Sequence, residues 1–210
     1  MRLRLAKVCD YQKIAELHFE IRNYYSVGIF AKLGLPFLRT YYRIILNDIN
    51  AIIVCAEDEN GVLHGFCSAT LDVRAQLANL KRHKFILALS IFSSIIKNPS
   101  IINDLIIRFR VIQNKSKIKI ISTQGARSEY WVWRSKNQDS LTSIEMYFAQ
   151  FNILKALGVK ELFGEIDIEN KKILKFQLAN GGKIIDRILL PDGRERVIVC
   201  IDLINWKQRI

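Results

Sequence analysis

The alternation of apolar and polar positions divides the chain into short segments of changing period. Arg2 to Ala6 alternates leucine with basic residues, the period-two signature of a half-buried strand. Asp10 is placed to cap a helix carrying Ile14, Leu17, His18 and Ile21 on one face. A second helical pattern runs from Ile29 to Asn47 with Phe37, Leu38, Tyr41, Ile44 and Ile45 as its apolar face, and Gly34 and Pro36 interrupt its first turns. Ala51 to Ala56 and Val62 to Val73 read as antiparallel strands joined at Asn60-Gly61, a strong hairpin turn.

The pattern then becomes helical over 76–97 and 100–113, with a break at Asn98-Pro99. Ile118 to Thr123 and Ser128 to Arg134 restore the strand signal. An amphipathic helix follows, with Ile144, Tyr147, Phe148, Phe151 and Leu154 inward. Thr142 and Glu145 have capping-box spacing at its start, and Gly158 ends it. Leu162 to Ile168 is a strand and Lys171 to Asn180 a short helix leaving through Gly181-Gly182. Ile184 to Leu190 and Val197 to Leu203 form a closing hairpin around Pro191-Asp192-Gly193. This order predicts an α/β fold, a mixed and largely antiparallel sheet flanked by helices. A chain of 210 residues is expected to be one domain over 1–210, with a helical insertion at about 74–119.

Charge sharpens the picture of that insertion. The chain carries a formal +12. Ten basic residues against Asp104 alone put +9 of it in 74–119. The segment also holds an apolar run, Phe85 to Ile96, too short to span a bilayer. It is compatible with an insertion that packs its apolar stripe and solvates its lysines, with a membrane surface, or with a second copy in a homodimer. No aromatic-rich motif, zinc finger or helix-turn-helix pattern accompanies the charge, so no specific nucleic-acid partner is expected. Arg2, Arg4, Lys7, Asp10 and Lys13 leave no apolar h-region near the N-terminus, so a cytoplasmic location is expected. Cys9, Cys55, Cys67 and Cys200 lack CxxC or Cys/His spacing, and no metal site is expected.

The element order, together with fixed intervals in the second half, resembles the GNAT superfamily of acyl-CoA-dependent N-acyltransferases. The stretches GLPFLRTYYRIILND and AIIVCAEDENGVLHGFCSATLD are similar to that family's second helix and first hairpin. SEYWVWR, Gln138 to Ser143, the helix to Gly158, LFGEIDI, Asn170 and the helix to Gly181-Gly182 follow its strand, cofactor loop, helix, strand, Asn and short helix without gaps. The resemblance covers 1–73 and 118–204 and implies an acyl-CoA co-substrate, acetyl-CoA first, with a small amine or amino sugar as acceptor. It implies cofactor contacts from Gln138, Asp139, Ser140, Leu141, Thr142, Ser143 and Asn170. It also implies that the backbone amide of Trp133 points at the thioester oxygen.

The chain departs from the family at three points. Leu141 and Ser143 replace small loop residues, mostly glycine, that let backbone amides wrap a pyrophosphate at a helix N-terminus. Asp139 brings negative charge there. Gln177, beside Phe176, stands where the family has its proton-donating tyrosine. These departures leave open a binding or regulatory module with weakened catalysis.

Glu129 is the candidate base. Strict alternation puts it on the face of Trp131 and Trp133, where aromatic walls would raise its pKa, and puts Tyr130 on the other. A plain ion pair with Arg127 or a neighbouring strand is the competing role. Asn170 has two compatible roles, cofactor contact and helix N-cap. His18 reads as a core histidine with one satisfied nitrogen. His64 reads as half-buried or as reaching the acceptor side.

Overall fold

A computed structural model of the chain describes residues 1–21, 33–97, 125–134, 139–190 and 193–208. The elements, in chain order, are β1 (Arg2–Leu5), α1 (Tyr11–Glu20), α2 (Gly34–Leu46), β2 (Ala51–Glu57), β3 (Leu63–Thr70), α3 (Val73–Arg82) and α4 (Lys84–Lys97). They continue with β4 (Ala126–Trp133), α5 (Ser140–Ala156), β5 (Glu161–Asp167), α6 (Lys171–Ala179), β6 (Lys183–Leu189) and β7 (Glu195–Asp202). The expected helix over 100–113, the strand over 118–123 and Gln138 lie outside the described residues, as does the start of the pattern at Ile29.

Among the described residues the strands form one seven-stranded sheet in the order β1-β2-β3-β4-β5-β7-β6. β4 and β5 are parallel; the other neighbouring pairs are antiparallel. The sheet separates two cores. On one face α1 and α2 bury Ile14, Leu17, Leu38, Tyr42 and Phe66. On the other, α5 buries Met146, Tyr147, Phe148, Phe151 and Leu154 against Leu162 and Val199. Cys55 belongs to the first core and Cys67 to the second, both as free, buried thiols.

The glycine turns read at Gly61 and Gly158 hold, while Asn98-Pro99 and Pro191-Asp192 lie outside the described residues. Gly61 in the β2–β3 turn has φ +73°, and Gly158 closes α5 at φ +83°, conformations that glycine adopts without steric cost. Several boundaries differ from the pattern. The strand after Gly61 ends at Thr70, because Asp72 caps a new helix by accepting from the amides of Arg74 and Ala75. The helical stretch 76–97 is two helices, α3 and α4, with His83 between them.

Asp10 does not cap α1 with its side chain. Its carboxylate accepts from the Lys7 amide at 2.7 Å and from both terminal nitrogens of Arg4, which also binds Glu57. The charge pairing clamps β1, β2 and the turn before α1 together. Thr142 and Glu145 do not form the expected capping box either. The residue that caps α5 is Asp139.

Candidate acyl-transfer site

β4 and β5 run side by side for three residues only. Ala126, Arg127 and Ser128 pair with Leu162, Phe163 and Gly164. Beyond Ser128, β4 stays with β3 as far as Trp133, while β5 continues along β7 to Asp167. The two strands therefore fork inside the sheet. Leu162 and Ile166 face the α5 core, and strand alternation puts Gly164 on the same face. Among the described residues, a Cβ at Gly164 would have no neighbouring atom within 4 Å. The apex of the fork is thus open on the α5 and α6 side.

The walls of that opening are aromatic. Trp131 stacks on Tyr147 of α5 with ring centroids 4.4 Å apart, and Phe176 of α6 lies 5.1 Å from Trp131. The Trp131 indole N–H donates to the Ser143 hydroxyl at 3.1 Å. The Gln177 amide donates to the Tyr147 hydroxyl at 2.7 Å, and the Ser128 hydroxyl lies 3.4 Å from the same oxygen. Burial pushes the Tyr147 phenol up to about 12, so it stays protonated at neutral pH. Tyr147 reads from the sequence only as a core residue. Its link to Gln177, in the family tyrosine's place, had no sequence signal, because the two side chains meet only through packing of α5 on α6.

The N-terminus of α5 lies beside this wall. Asp139 accepts from the Thr142 amide at 3.0 Å and from the Thr142 hydroxyl at 2.5 Å. Those bonds hold its carboxyl below the usual aspartate range. One carboxylate therefore already engages the end of the helix that a phosphate would approach. Leu141 is 71% exposed, so its side chain points away from the body of the fold. Ser140 is also exposed, whereas Ser143 is buried and occupied by Trp131. Asn170 caps α6 by accepting from the Ile173 amide at 3.4 Å.

Glu129 differs from its expected orientation. The β3–β4 register shifts between Ser68 and Ala69, which pair with Tyr130 and Ser128, so Glu129 is the extra residue of a β-bulge. Tyr130 and Val132 consequently pack on the α1/α2 core, while Trp131 and Trp133 pack on the α5 core. The Glu129 carboxylate is on the side of Arg127, 3.6 Å away, with Gln76 of α3 and with Tyr41 and Tyr42 of α2. It does not lie between the two tryptophans. Burial raises its pKa above the usual glutamate range, and Arg127 opposes that shift.

The Trp133 indole packs against its cross-strand partner, Gly65. A Cβ on Gly65 would approach the indole to 2.2 Å, so glycine is required for this packing. His64 pairs with Asp58 at 2.8 Å in the hairpin turn. His18 is a core histidine whose Nδ1 is 2.6 Å from the Tyr42 hydroxyl. Burial pushes its pKa down to about 4. A separate cavity of about 330 Å³ is lined by Lys183, Asp202, Asn205 and Trp206, and none of the residues expected to act borders it. Among the described residues no group of three or more His, Cys, Asp or Glu could hold a metal ion.

No protein-family model matches the sequence, and no curated protein matches it significantly. Solved structures do match. An aminoglycoside 6'-acetyltransferase of type Ii superposes with a TM-score of 0.57 at 11% identity, covering 100% of both chains. An N-acetyltransferase from Staphylococcus aureus Mu50 gives 0.57 at 14%, covering 97% of this chain and 98% of that one. A chimeric spermidine N-acetyltransferase from Vibrio cholerae gives 0.55 at 11%, covering 97% of each.

The chain has the GNAT fold.

Identities this low establish the fold alone. Among the described residues no helix is long and apolar enough to cross a membrane.

Proposed function

We propose that this protein is an acyl-CoA-dependent N-acyltransferase that moves an acetyl group to a small amine or amino sugar by direct transfer. The observation that carries the reading is the fork between β4 and β5, with open space over Gly164 on the α5 and α6 face. A pantetheine arm is narrow and hydrogen-bonds to backbone, so a parted strand pair suits it. The acetyltransferases that share the fold support the same reading. Two of them are named for small polyamine or amino-sugar substrates.

In this reading acetyl-CoA supplies the activated acyl group as a thioester. The chain's own part is to bind and orient. Ser128 and the outer half of β4 line one side of the donor site, and Trp131, Tyr147 and Phe176 wall it from water. The Trp133 amide is the assigned donor to the thioester oxygen, a role indifferent to side-chain identity. Ser140, Thr142 and the first turn of α5 meet the phosphates, assisted by the positive end of the helix. Leu141, turned to solvent, leaves that approach open.

The amine approaches from the opposite face of the fork, where Glu129 and Tyr130 lie. A carboxylate whose pKa is raised by burial is a competent acceptor for the proton that an amine sheds as it attacks. Nitrogen bonds to the carbonyl carbon, the amine proton passes to Glu129, the carbon–sulfur bond breaks, and the leaving thiolate is protonated from solvent.

A second reading has its own observations. Asp139 engages the α5 amide end, and Gln177 replaces the phenol that would protonate the thiolate. These favour a GNAT-fold binding or regulatory module of weak catalysis. Thiol release from acetyl-CoA in the presence of an amine and amino-sugar panel separates the two. Amine-dependent release supports transfer. Donor binding without release for any amine favours the module.

A further inference from the structure

We propose that the outer face of α4 is a docking surface for an anionic lipid bilayer. The helix has two apolar faces. Leu87, Ile91 and Ile95 pack on the core beneath α2, and the Ser94 hydroxyl donates to the Leu33 carbonyl at 2.8 Å, which fixes the helix in rotation. The opposite side carries Phe85, Leu89, Phe92 and Ile96, exposed by 75%, 81%, 65% and 66%. At 3.6 residues per turn these four fall within an arc of about 60°. Ile86 adds a half-exposed edge. A continuous apolar ridge of this kind is not an ordinary water-facing surface.

Charge decides among its occupants. Lys81, Arg82 and Lys84 are exposed at the start of the ridge, and residues 73–97 contain no Asp or Glu. A second copy packing through this face would bring no carboxylate to these cations from its own residues 73–97. A nucleic acid would meet the cations but leave the ridge in water. An anionic bilayer satisfies both features, with apolar side chains in the acyl boundary and lysine and arginine among the headgroups. The helix is 14 residues long, so it lies on the surface rather than crossing it. The inference rests on this face alone and does not depend on the acyl-transfer reading.

The test is co-sedimentation of the full chain with phosphatidylcholine vesicles, with and without phosphatidylserine. The expected result is binding to the phosphatidylserine vesicles only, lost as NaCl rises from about 50 to about 500 mM. Phe85→Ser/Phe92→Ser should weaken it about tenfold with an unchanged thermal midpoint, since both rings face water. Lys81→Glu/Arg82→Glu should weaken it similarly. Absence of binding to anionic vesicles at low salt overturns the proposal. So does undiminished binding by Phe85→Ser/Phe92→Ser, which would leave charge as the whole attraction. A dimer in gel filtration that this double variant dissociates also overturns it, because a second copy then covers the ridge.

Discussion

The Gln177 side-chain amide donates to the buried hydroxyl of Tyr147 at 2.7 Å, tying α6 to α5 behind the Trp131 ring. Among the described residues, the carbonyl oxygen of the same Gln177 is buried without a hydrogen-bond partner. Tyr147→Phe leaves the amide with neither group paired and should lower unfolding free energy by about 1–3 kcal/mol in urea titration. Tyr147→Phe/Gln177→Leu should recover part of that loss, because an apolar pair carries no orphaned polar group. A double variant as unstable as the sum of its parts contradicts the coupling.

Glu129→Gln keeps the shape of the buried side chain but removes its proton-accepting form. If Glu129 is the base, turnover should fall roughly 10²–10⁴-fold. The wild-type rate should rise with pH through a midpoint above the ordinary glutamate range, since burial favours the protonated form. That acid limb should be missing from the variant. A variant with wild-type turnover makes Glu129 no more than the partner of Arg127.

His18 gives the fold a specific acid sensitivity. Its pKa falls from the ordinary 6.5 to about 4 in the folded chain, because burial against Tyr42, Tyr130 and Phe66 disfavours the cation. Above the ordinary value both folded and unfolded chains are neutral at this site, and it contributes no pH dependence. As pH falls from about 6.5 towards about 4 the unfolded chain takes up the proton first, and up to roughly 3 kcal/mol of stability is lost. His18→Gln should flatten that part of the stability curve in denaturant titrations at stepped pH. Parallel curves for the two proteins contradict the assignment.

Asp139→Ser keeps an oxygen acceptor for the Thr142 amide while removing a negative charge from the α5 N-terminus. Acetyl-CoA should bind the variant several-fold more tightly in calorimetry, at the expense of a small fall in thermal midpoint. Unchanged affinity would place the phosphates elsewhere.

Sequence periodicity carried the order of most of the described elements because each strand or helix repeats its own signal, although it merged α3 and α4. It put Glu129 on the wrong face for a physical reason. Alternation assumes one residue per pleat, and the bulge opposite Ser68 and Ala69 inserts an extra one. The cap of α5 was missed differently. Both Asp139-x-x-Thr142 and Thr142-x-x-Glu145 satisfy capping spacing, and the aspartate one turn earlier holds the helix start. The fork carries no signal in the sequence pattern. Gly164 shows why, since a lone strand glycine carries no periodic signal although its missing side chain opens the apex.

That opening gives the most direct test. Gly164 has open space around its missing side chain, and valine suits a strand, so Gly164→Val should fold with an unchanged or higher thermal midpoint. Acetyl-CoA should be titrated into both proteins in a calorimeter. The account predicts saturable one-site binding by the wild type and at least about tenfold weaker binding by Gly164→Val, as the side chain fills the donor's path. No heat from the wild type with acetyl-CoA or longer acyl-CoAs, or equal binding by both proteins, would contradict it.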